Sequence, residues 1–86
     1  MVRLVPAGNA DTAAFAVLCS LGYELSLVPG AEEERICAKK DGHEFVAESP
    51  ITVLGLVALH QARGDDWKPR DDEVARMLRF EAQRRI

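Results

Sequence analysis

The sequence predicts one small α+β domain, a three-stranded antiparallel sheet packed on one face by helices, in the order α-β-β-β-α-α. Three observations carry that prediction. The run YELSLV at residues 23–28 places Tyr23, Leu25 and Leu27 on one side of an alternating segment, the period-two pattern of a half-buried strand. Asp41-Gly42 separates two further runs of the same kind, and Asp-Gly is favoured in two-residue hairpins because a type I′ turn needs positive φ at both central residues. Ser49 and Pro50 open an apolar stretch that Gly64 closes, which supplies an N-cap, a proline at the first helical position and a helix stop.

Taken in order, the first helix begins at a cap from Asn9 or Asp11 and runs to about Leu21, with Gly22 placed to end it. Ala14, Val17, Leu18 and Leu21 form its apolar stripe, with Phe15 beside them. After the first strand, at about residues 23–28, the segment PGAEEE turns the chain, with Pro29-Gly30 as breakers and solvated glutamates behind them.

The hairpin strands fall at about residues 35–40 and 43–48. A two-residue turn fixes their register: Lys40 opposes His43, Lys39 Glu44, Ala38 Phe45, Cys37 Val46, Ile36 Ala47 and Arg35 Glu48. One face then collects Ile36, Ala38, Phe45 and Ala47. The other is polar, with Lys39 against Glu44, Arg35 against Glu48, and a small apolar patch of Cys37 and Val46. Each opposite-charge pair is worth roughly 0.2–1 kcal/mol, and a slip of one residue loses both the pairs and the core face.

The second helix spans Pro50–Arg63. A helical wheel assigns Ile51, Leu54, Gly55, Ala58, Leu59 and Ala62 to the sheet, the small residues permitting close approach. Val53, Leu56, Val57 and His60 then face away and need a cover. The expected cover is a third helix in residues 71–86, lying over the back of the second and joined to it by a linker in which Trp67 anchors the crossover. Acids at 71–73 and arginines at 76, 79, 84 and 85 suit the helix dipole, and Asp72 with Arg76 and Glu81 with Arg85 are i,i+4 pairs. Its stripe is Val74, Met77 and Leu78, edged by Ala75 and Ala82. Phe80 and Ile86 are left without an intramolecular place.

At 86 residues the chain is a single domain, and a net charge of −3 disfavours nucleic acid and anionic membranes as partners, since both reward clustered lysine and arginine. The opening MVRLVPAGNAD has no apolar run of signal-peptide length, and no window reaches the apolar length of a spanning helix; the expected location is the cytoplasm. Cys19 and Cys37 are accordingly read as thiols.

Cys19, Cys37, His43 and His60 lack the short spacings of a zinc motif, and the hairpin register sets Cys37 and His43 on opposite faces of the sheet. His43 is read as solvated beside its turn and His60 as a polar spot on a helix interface. The acids at 65–66 and 71–73 lack the alternating ligands and central glycine of a calcium loop. No cofactor, metal or catalytic residue is assigned. The order helix, three strands, helix resembles that of double-stranded-RNA-binding domains, but the second helix of that family opens with a lysine cluster, and SPITVLG here has no basic residue. The resemblance implies the element order and carries over no RNA-binding residue.

The expected function is non-enzymatic association with another protein or a second copy of the chain, through Val53, Leu56, Val57, His60, Trp67, Met77 and Phe80 of the second and third helices and their linker. An alternative is a small ligand held near Trp67 and His60. A further alternative is nucleic acid held by Arg76, Arg79, Arg84 and Arg85, whose charge nearby acids offset.

Overall fold

The computed structural model describes residues 2–4, 9–29 and 33–85, with Arg85 described by its backbone alone. The elements are α1 (Ala10–Ser20), β1 (Glu24–Val28), β2 (Arg35–Lys40), β3 (His43–Ala47), α2 (Pro50–Arg63), α3 (Asp71–Ala82) and a closing 3-10 turn, Gln83–Arg85. The strands make one open antiparallel sheet in the order β1-β2-β3. No helix among the described residues is long and apolar enough to cross a membrane. The turn at Gly30 and the terminal Ile86 lie outside the described residues.

The exit of α1 is the expected glycine stop. Tyr23 N–H donates to the Leu18 carbonyl and Gly22 N–H to that of Cys19, with Gly22 at φ 93°, the paired hydrogen bonds of a Schellman motif. Its entry differs from expectation. The Asn9 side chain makes no cap bond, and the Asp11 carboxylate accepts instead from Ile51 N–H at 3.2 Å. Asp11 therefore helps cap α2, where Ser49 Oγ accepts from Thr52 N–H, and so ties the starts of the two helices together.

The hairpin register is the expected one from Lys40↔His43 to Ile36↔Ala47, with Asp41 and Gly42 both at positive φ. Lys39 and Glu44 pair at 3.7 Å. The ladder stops one residue short of Arg35 and Glu48, because the chain bends away at Glu48 to enter α2. On the open face, Cys37 is buried at the centre of the middle strand, flanked across the ladders by Ser26 and Val46, and its thiol donates to Glu44 Oε2. Cys19 is exposed on α1, and both thiols are free.

On the other face, Leu18, Ala38, Ala47, Val53 and Val57 form the core, with Tyr23, Leu25, Ile36, Phe45, Leu54 and Leu56 packed around it. This corrects the orientation of α2. Val53 and Val57, expected to face outward, are 0% and 1% exposed, whereas Ile51 and Leu59 of the expected sheet side are exposed. A β-carbon built on Gly55 meets nothing within 4 Å, so no close approach occurs there. The physical reason is apolar area: turning two valines and Leu56 inward removes far more of it from water than a Gly-Ala-Ala stripe, at about 1.5–3 kcal/mol for each large side chain fully buried.

The position of α3 is the second correction. It does not lie over the back of α2, and none of its residues is buried. With Val53, Leu56 and Val57 turned to the sheet, the back of α2 keeps only Ile51 and Leu59 as large apolar residues beside Gly55, Ala58 and Ala62, and α3 does not settle on them. What joins the two helices is ionic. Arg63 forms a two-pronged pair with Glu73, whose carboxylate also accepts from Arg70 N–H in a capping-box arrangement. Asp72 pairs with Arg70 rather than Arg76, and Glu81 with Arg84; the expected partner Arg85 has no described side chain.

The Arg63 guanidinium holds the Glu73 carboxyl down from its ordinary 4.5 to about 2, with the Arg70 N–H adding to the effect. A depressed carboxyl contributes stability above its unfolded pKa and loses it as pH falls through the folded one. The α2–α3 joint is thus expected to persist above pH 4.5 and to release as pH falls towards about 2. Amide exchange in α3, followed across that window, checks this; in Glu73→Gln the acid-dependent loosening is absent.

Candidate functional site

Three elements bring titratable side chains to one point beside the β3 edge. His43 is the first residue of β3, and the hairpin register places it on the same face as Phe45, towards the helices. His60 lies in the last turn of α2, on the side that Val53 and Val57 turn to the sheet. Gly64 then ends the helix at φ 71° and ψ −157°, a conformation open essentially to glycine alone, and so folds Asp65 back towards His60.

The convergence is close. His60 Nε2 lies 2.7 Å and His43 Nε2 3.3 Å from the same atom, Asp65 Oδ1. The imidazole centroids are 4.5 Å apart, and Phe45 backs both rings, edge-on to His60 and stacked with His43. The His60 imidazole is three-quarters covered, at 25% exposure, while the Asp65 carboxylate stands in solvent. The hydrogen bonds from His60, and secondly from His43, hold the Asp65 carboxyl below the usual carboxylate range.

No family model, curated protein or solved structure matches the chain. The functional reading therefore rests on geometry.

Next to the cluster runs a groove of about 310 Å³ between β3 and α2, lined by Phe45 and Val46 on one side, Leu56 and Leu59 on the other, and Trp67 from the linker. A cluster of two imidazoles and a carboxylate can hold a cation or exchange protons, and the groove beside it admits a small apolar group.

The structure divides the seven residues read from the sequence as a partner surface. His60, Leu56 and Trp67 meet at the groove. Val53 and Val57 belong to the core and are closed to any partner. Met77 and Phe80 lie exposed on α3, away from the core. Sequence reasoning missed the part played by His43 and Asp65. The register that sets His43 on the helix-facing side was legible, but the inward rotation of α2 and the backbone at Gly64 were needed to bring His60 and Asp65 to it.

Proposed function

We propose that the chain is a small non-enzymatic association module of the cytoplasm that pairs with a second copy of itself through α3. The observation that carries this reading is a helix that buries none of its residues yet presents an apolar stripe: Val74, Met77 and Leu78 are exposed, Leu78 at 64%, and Phe80, off the stripe on the side of Met77, is 57% exposed. Exposed stripes of this kind mark association surfaces. A free exposed thiol at Cys19 fits a reducing compartment.

Surface area supports the same reading. The chain exposes 7180 Å², whereas a folded monomer of its 9.5 kDa exposes about 5,000 Å². Part of that excess lies on α3, where Val74, Met77, Leu78 and Phe80 are exposed.

The charge order on α3 supports a second copy as the occupant. Asp71 and Asp72 lie at its start, with Arg79 in its last turn and Arg84 in the 3-10 turn that follows. Two such helices packed antiparallel across a two-fold axis set each acidic end against the partner's basic end, with the apolar stripe between them. Leu78→Glu places a carboxylate in the centre of that contact. Light scattering is expected to give twice the 9.5 kDa chain mass for the parent and the chain mass for the variant, with unchanged circular dichroism. A parent that stays monomeric up to high micromolar concentration overturns the pairing.

A further inference from the structure

We propose that His43, His60 and Asp65 form a binding site for a divalent transition-metal ion of the zinc type, with an exchangeable fourth position opening on the Phe45–Trp67 groove. This inference stands on a different surface from α3 and does not depend on the pairing of chains.

The donor set is the first ground. One ligand atom from each of the three residues lies within 4.8 Å of the others. In a tetrahedral zinc site with bonds of about 2.0–2.1 Å, neighbouring ligand atoms lie about 3.3 Å apart. The His43 to Asp65 separation, 3.3 Å, already has that value, and the His60 to Asp65 separation of 2.7 Å needs to open by about 0.6 Å. Asp65 is solvent-exposed, so it can make that movement without disturbing the core.

Hydrogen bonding is the second ground. Without a metal, both imidazoles direct Nε2 at the single atom Asp65 Oδ1, so for both bonds to form each must carry its proton on Nε2. A cation placed between the three atoms replaces those two hydrogen bonds with three coordinate bonds, the imidazoles shifting to the Nδ1–H tautomer. The ligands come from β3, the end of α2 and the turn after Gly64, so binding would fasten the linker to the edge of the sheet.

Donor chemistry sets the cation. Two imidazole nitrogens and one carboxylate oxygen suit zinc, cobalt, nickel or copper, whereas calcium and magnesium take oxygen donors in larger number. Three protein ligands leave a position for water or an incoming donor group. Trp67, the sole tryptophan, lines the groove beside it and can report occupancy.

The test is titration of the untagged 86-residue chain with cobalt(II) and zinc(II). Expected are one ion per chain, visible cobalt bands characteristic of low coordination number that zinc abolishes, and a change in Trp67 emission. Zinc at a hundredfold excess over its Kd is expected to raise Tm by on the order of 10 °C. His43→Gln and Asp65→Asn, both at exposed positions, are expected to weaken zinc binding by a factor on the order of 100 while remaining folded. Leu78→Glu should bind zinc as the parent does, which separates failure of this site from failure of the α3 pairing. The proposal is overturned if neither ion binds below millimolar concentration, if magnesium competes equally, or if the two variants bind zinc like the parent. Variants that lose stability with no metal effect in any form of the chain would make the cluster a hydrogen-bonded clasp only.

Discussion

Leu18→Ala is expected to lower the free energy of unfolding by about 2–5 kcal/mol, and Gly55→Ala to raise it by roughly 0.5–1 kcal/mol. Leu18 is 0% exposed and sits where α1 meets Val53, Val57 and the sheet. Few side chains share its load. The largest fully buried ones are Leu18, Val53 and Val57, the rest of the buried set being alanines and Cys37. A small domain has a total stability of only about 5–15 kcal/mol, so a cavity at Leu18 removes a large part of it. Gly55 lies in the middle of α2 with open space where a β-carbon would go, so alanine there limits the unfolded chain and strains nothing. Urea unfolding of both variants decides which side of α2 faces the sheet: loss at Gly55→Ala would mean that the glycine makes a close contact and that the rotation of α2 is wrong.

The hairpin was legible in the sequence and the face of α2 was not, and the difference is physical. Asp41-Gly42 permits few backbone geometries, and alternation with period two leaves one register that keeps Ile36, Ala38, Phe45 and Ala47 on the core side. In α2, apolar residues occur nearly all round, so a helical wheel alone gives no direction. The choice is made by side-chain size, Val53 and Val57 against Gly55 and Ala58, and by Asp11 reaching across from α1 to cap Ile51 N–H. Once that rotation is known, His60 comes to the side of β3. The missing step towards Asp65 is the backbone at Gly64, whose φ and ψ depend on how the linker leaves the helix. The position of α3 follows from the same rotation, since the residues it was expected to cover are already covered by the sheet.

Ending the chain at Arg70 is expected to leave the sheet, α1 and α2 folded and to abolish self-association. The first half of this expectation rests on burial. No residue of α3 is buried, and the core cluster lies wholly within residues 18–57. The truncated chain loses the Arg63–Glu73 pair, whose Arg63 end reaches solvent, where screening weakens an ion pair and leaves the buried core to carry the fold. Near-ultraviolet dichroism and the unfolding midpoint are therefore expected to change little, while far-ultraviolet helical signal falls. The second half rests on the stripe of α3. Without Val74, Met77, Leu78 and Phe80 the apolar surface of α3 is gone, and the dissociation constant is expected to rise by at least about a hundredfold, the equivalent of some 2.7 kcal/mol. Sedimentation equilibrium on the parent and truncated chains reads this directly. A truncated chain that unfolds would make α3 part of the fold, and one that still dimerises would move the interface to the open sheet face or the β3 edge. Retention of the core with loss of the dimer is the result that α3, held to α2 by a single ionic joint, leads us to expect.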